Sequence, residues 1–225
     1  EKLVQELDKR EREQRRERSQ RASRLMQPWM HLSVPEGCYA PLTVVLQAHE
    51  EEIAKQLTML DFALFARVQA DELLHQHWSR ARTQHRAPHV LALIARSNRL
   101  AYWLASAVLW HAGAAERART LAKLVRLGDA LLQLNNFHTA LAVVAGLNVS
   151  AVARLRHSWA RLPAAERERL HQLQLVFDPA NSYRTYRARH ARATAAGPCL
   201  PYLATPLSDL TFAEDGNPDH TDPPH

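Results

Sequence analysis

"LNNFHTALAVVAGLNVSAVARL", residues 134–155, reads as a buried helix that keeps three amides: Asn135 and Asn136 at one end, Asn148 at the other. Asparagine is a poor helix former, because its side chain competes for backbone hydrogen bonds. Asn135 and Asn136 are therefore expected at a helix junction, where amides satisfy free backbone groups. Asn148 stands two residues before Ser150. It reads either as a C-cap, since Asn tolerates the left-handed conformation, or as a side chain kept for a partner. Between the amides Phe137, Leu141, Val144 and Leu147 recur at helical spacing.

The same period extends in both directions. Upstream, Leu121, Leu124, Val125, Gly128, Leu131 and Leu132 share one face. Before them Pro88 opens a long helix with an apolar line through Val90, Leu93, Ile94, Ser97, Ala101, Leu104 and Val108, and Gly113 falls in C-cap territory. Ile53, Leu57, Leu60 and Leu64 predict an earlier helix. Asp61 is expected to cap a short one behind it, with Phe62, Phe65 and Val68 inward. Downstream, Ser150 reads as an N-cap, Pro163 starts a helix with Leu170, Leu173 and Phe177 inward, and Tyr183, Tyr186 and His190 continue at helical spacing. Asp178–Pro179 and Gly197–Pro198 are breaks. No alternating run of useful length predicts a strand, so the expected fold class is all-α.

Composition agrees. The 225 residues are 46% hydrophobic with only 6 Gly, enough for a sizeable core, and the apolar set of Leu, Ala and Val favours helices. The formal charge is +6, and residues 1–24 hold nine Lys/Arg against six Asp/Glu. Without a compact basic run interleaved with aromatics, nucleic acid is not an expected partner. Two cysteines at no metal-type spacing point to a reducing, cytoplasmic setting. No apolar run reaches the length of a membrane span, and peripheral recruitment to membranes stays compatible with the charge. The 13 histidines form no H-E-x-x-H and no zinc quartet. Neither a nucleophile elbow nor a phosphate loop is present, so no cofactor is expected.

Five blocks then fall in one order: "EIAKQLTMLDFALFARVQADELL", "APHVLALIARSNRLAYWLASAVL", "LLQLNNFHTALAVVAGLNVSAVARLRHSW", "NSYRTYR" and "GPCLPYLATPLSDLTFAEDGNPD". Together they resemble the catalytic domain of Ras-type guanine-nucleotide exchange factors, the RasGEF domain, over roughly residues 43–219. The organisation expected is a charged lead-in, helical or disordered, at 1–26; a linker at 27–42; the domain at 43–219; and a tail at 220–225.

The resemblance implies an all-helical bowl that grips a Ras-family small GTPase of Ras or Rap type. A helical hairpin displaces the switch that closes the nucleotide site, and no covalent chemistry is involved. Carried over by position, Asn148 and Tyr183 match GTPase-interface residues, Asn98 lies on a helix lining that surface, and Glu214 joins the GTPase-binding set. Thr211 and Asp215, four residues apart and so on one helical face, match the hairpin positions that disturb the magnesium site and compete for phosphate-binding groups. Asn135–Asn136 falls in the family's structural core.

Three departures stand out. Ala204 and Pro206 replace a usual Gly and a bulky residue. Asp215 replaces a Glu and reaches one methylene less. The sequence stops at His225, soon after "GNPD", before a returning hairpin arm, so the hairpin is expected to be incomplete and mobile. The alternative function is a catalytically weak GTPase-binding or scaffold module.

Overall fold

A stripe of inward residues decides how the first described helix sits. α1 (Glu50–Phe65) turns Glu50, Ile53, Ala54, Leu57, Thr58, Asp61 and Leu64 inward, so that each has another of the set three or four residues away. The computed structural model describes residues 47–217. The expected lead-in at 1–26, linker at 27–42 and tail at 220–225 lie outside the described residues, and the fold below belongs to the unit that begins at Tyr39.

Eight further α-helices follow among the described residues: α2 (Pro88–Leu109), α3 (Ala114–Gln133), α4 (Phe137–Asn148), α5 (Ser150–Ala153), α6 (Arg156–Trp159), α7 (Ala164–Val176), α8 (Arg184–Ala196) and α9 (Ala204–Gly216). Two 3-10 turns, Ala70–Leu73 and Gln84–Arg86, connect α1 to α2. Apart from one isolated bridge, Asn136 with Leu200, no β pairing occurs among them. The all-α expectation holds.

The main core joins α1, α2, α3, α4, α7 and α8 around Leu104, Leu121, Leu124, Leu131, Phe137, Leu147 and Tyr186. α2 and α4 approach closely where a Cβ on Gly146 would lie 2.7 Å from the Ala101 carbonyl oxygen. Only glycine allows that separation without a backbone shift. A second, smaller core joins Ala87, Val90 and Leu93 of the α2 start to Leu203 and Leu207 at the base of α9.

Asn136 carries the junction between α3 and α4. It is fully buried. Its Oδ1 accepts from the Thr139 N–H at 3.0 Å, capping α4, and its Nδ2 donates to Thr58 Oγ1 at 3.0 Å. Asn135 beside it adopts φ 54°, a conformation asparagine takes more readily than most residues. The Leu200 N–H donates to the Asn135 carbonyl and the Phe137 N–H to the Leu200 carbonyl, both at 3.0 Å. The junction therefore also fixes the strand-like approach to α9.

Several local expectations give way. Asp61 caps nothing. It is buried in the middle of α1 and binds the Arg96 guanidinium and the Thr139 hydroxyl. Turning Asp61 inward rotates Leu60 and Phe62 outward, 55% and 58% exposed. Gly113 is the N-cap of α3 rather than the C-cap of α2. Ser150 is the first residue of α5, with Val149 as its N-cap.

α2 has no capping side chain of its own at Ala87. Glu72 supplies the cap from the neighbouring 3-10 turn, its Oε2 accepting from the His89 and Val90 N–H groups at 2.8 and 3.1 Å. Burial pushes the Glu72 carboxyl up. Bonds from the His89 ring and from the backbone of Val90, Gln69 and His89 outweigh it and hold the group below its usual range. A depressed folded-state pKa contributes stability that is present above the unfolded value of about 4.3 and lost as pH falls through the folded value. Glu72→Gln is therefore expected to lower Tm near pH 7. The gap to wild type should narrow in melts run progressively below pH 4, and a pH-independent gap would contradict this origin.

Candidate functional site

The site is built on α9. The helix starts well: Thr205 and Leu207 are buried, and Pro206 sits in the first turn, where a missing N–H costs nothing. The substitution of Pro206 for a bulky residue is thus compatible with helix. Past Leu207 the helix runs outward, with Leu210 and Phe212 exposed, the latter by 72%. The Thr211 hydroxyl donates to the Leu207 carbonyl at 3.0 Å, so its polar group is satisfied inside the helix.

Side-chain ties hold α9 along its length. Arg187 of α8 pairs with both oxygens of Asp209 at 2.7 Å, a fork geometry that fixes direction as well as distance. The Arg187 bonds hold the Asp209 carboxyl below its usual range. Near the far end, Gln76 Nε2 donates to Asp215 Oδ1 at 2.9 Å, and Glu214 lies 3.8 Å from His75 Nδ1 and 3.9 Å from Arg80. α8 and the 75–80 loop thus brace this segment laterally.

At the base of α9 stands an aromatic cluster. Tyr183 and Tyr202 meet edge to face with centroids 5.8 Å apart. The Tyr202 N–H donates to the Tyr186 hydroxyl at 2.9 Å, and burial pushes the Tyr186 phenol up to about 12. Asn181, Ser182 and Tyr183 adopt φ of 51°, 55° and 61°. Three successive non-glycine residues in that region mark stored strain. Tyr183 stays there because its ring is seated on Tyr202 and because Arg187 Nε donates to the Ser182 carbonyl at 2.8 Å.

Asn98 and Asn148 flank the other crossing. Asn98 is half-buried on α2, three residues before Ala101, and Asn148 is exposed at the end of α4, two residues after Gly146. Val149 is the C-cap, and Asn148 does not take a left-handed backbone. Of the two readings of Asn148, the left-handed cap therefore falls. Among the described residues no group of three His, Cys, Asp or Glu is placed to hold a metal ion, and no helix is long and apolar enough to cross a membrane.

A family model for the RasGEF domain matches residues 52–225. The chain belongs to the RasGEF domain family. It is 39% identical over 200 residues to Ras guanine nucleotide exchange factor J of Dictyostelium discoideum, covering 88% of this chain and 24% of that protein. It is also 39% identical over 187 residues to Ras guanine nucleotide exchange factor I of the same organism, covering 83% and 22%. Exchange factor R, again from Dictyostelium discoideum, is 37% identical over 188 residues, covering 84% and 11%. The chain thus spans a quarter or less of the length of these relatives.

Within this RasGEF domain, the structure gathers Thr211, Glu214 and Asp215 on one helix and sets Tyr183 beside the segment that leads into it. Asn98 and Asn148 sit near a separate helix crossing. Sequence reasoning missed the braces, Gln76 and Arg187. They lie 139 and 22 residues from the acids they hold, and no local pattern marks either one.

Proposed function

We propose that this chain is a guanine-nucleotide exchange module for a Ras-family small GTPase of Ras or Rap type, acting in the cytoplasm with recruitment to membrane surfaces. Membership of the RasGEF family and the names of its relatives support the reaction. The observation that carries the mechanism is α9: a helix buried at its base, braced at its side, exposing Phe212 and Asp215 outward with Thr211 half-buried beside them.

No bond is made or broken in such a step. An exchanger shifts the GTPase toward its nucleotide-free form only as far as its affinity for the two forms differs. Inverting a 1:99 population takes about 5.5 kcal/mol of difference. Thr211 supplies a small apolar wedge against the magnesium side of the nucleotide site. Asp215 brings a negative charge toward the phosphate pocket, where it repels the anion and pairs with the pocket's freed cationic group. Asn148 and Asn98, whose amides both donate and accept, and Tyr183 and Glu214 hold the GTPase surface around the wedge.

The binding half of this reading is tested at Asn148. Asn148→Ala is expected to weaken binding to nucleotide-free GTPase several-fold while Tm stays within a degree or two, because the side chain is exposed. Asn136→Ala is expected to do the reverse and cost about 1–3 kcal/mol of stability through unsatisfied partners. Denaturant melts and titration of GTPase against both variants separate the two. Full affinity of Asn148→Ala would remove Asn148 from the GTPase-binding set.

A further inference from the structure

The loop between the two 3-10 turns is shaped to reach the far end of α9. His75 and Gln76 take φ of 53° and 52°, a backbone that residues with a Cβ adopt rarely. The Ser79 N–H and hydroxyl both donate to the Gln76 carbonyl, at 2.9 and 3.0 Å. Gln76 is buried, which restricts the rotamers its amide can take, while Asp215 is exposed. The single bond between them, 2.9 Å from Nε2 to Oδ1, joins a fixed donor to a carboxylate that would otherwise sweep through its rotamers. Glu214 and Asp215 also sit in the last turn, the end of a helix that disfavours negative charge. Helix propensity therefore gives no reason for two acids there, and the 75–80 loop supplies their partners.

We propose that Gln76 is a positioning residue for nucleotide release, aiming the Asp215 carboxylate at the GTPase's phosphate site. The proposal rests on the exchange reading above, in which Asp215 delivers the charge. A carboxylate accepts along four lone-pair directions, so one bond from Gln76 fixes its attitude and leaves the second oxygen open. Holding it in place beforehand removes an ordering cost that would otherwise fall at engagement. The benefit is larger for an aspartate, whose shorter reach tolerates less misdirection.

The test is a double-mutant cycle on the full chain, read as kcat and KM for release of a fluorescent guanine nucleotide from a Ras-family GTPase. Gln76→Met keeps the side chain's length and removes the donor. It is expected to lower kcat about three- to tenfold, the range of one hydrogen bond's net worth, with KM for the GTPase changed less than twofold. In an Asp215→Ala background the same change is expected to have no further effect, because Gln76 acts through Asp215. A second pair remains decisive if Gln76→Met folds poorly. Gln76→Asn shortens the donor and lowers kcat, and Gln76→Asn with Asp215→Glu restores the combined reach and the rate. A loss of the same size in both backgrounds, a failure of the length swap to rescue, or a rise in kcat on removing the donor would overturn the assignment of Gln76 alone. Wild-type exchange by Asp215→Ala would take down the role of Asp215 and this proposal with it.

Discussion

Asp61→Ala is expected to cost about 3–5 kcal/mol, the usual penalty for breaking a buried ion pair by removing one partner. Asp61 is 2% exposed and accepts from both Arg96 and Thr139. Its loss strands a partly buried guanidinium that already has one buried nitrogen, Nη2, without a hydrogen-bond partner. A typical domain has only about 5–15 kcal/mol in total, so the variant should be marginal at 37 °C. Urea denaturation at neutral pH measures it. Replacing both partners, Asp61→Leu with Arg96→Met, should recover much of the loss, since well-packed apolar pairs often equal the ion pair they replace. A loss below about 1 kcal/mol in the single variant would show that the α1–α2–α4 junction does not depend on this charge.

The second large effect is functional. Asp215→Asn keeps the shape of the side chain and removes its charge. If the carboxylate acts on the nucleotide site by charge, the maximal rate of release should fall about tenfold, or ~1.4 kcal/mol in barrier, while affinity for the GTPase changes little. That split is the signature of an interaction made when the nucleotide leaves rather than when the proteins meet. Asp215→Glu should hold or raise the rate by adding a methylene of reach. Equal rates for wild type and Asp215→Asn, measured at saturating GTPase, would contradict a charge-based role.

Much of the fold was legible in the sequence because helices bury one face and repeat. Pro88, the Asn135–Asn136 junction, Pro163 and Gly197 marked boundaries through chemistry that acts within one turn of chain, and the structure keeps all four. Asp61 was misread for the opposite reason. An acid inside an apolar period looks like a cap until its partners are known, and those lie 35 and 78 residues away. The same blindness hid the second role of Asn135, whose carbonyl holds the approach to α9 at Leu200. At the candidate site, periodicity alone placed Thr211 and Asp215 on one face but gave neither a task. Their roles came from family resemblance. Gln76 was invisible, because a glutamine between two histidines carries no signal of a left-handed backbone.

Opening of the nucleotide site of a Ras-family GTPase is the activity proposed for this chain. It is tested most directly by loading Ras-type and Rap-type GTPases with fluorescent GDP, adding excess unlabelled nucleotide and following release with and without the chain. Release is expected to be faster from at least one of them, in proportion to chain concentration, and slower again with Asp215→Asn. Release at the spontaneous rate from every Ras-family member tried, by a chain shown to be folded, would contradict it.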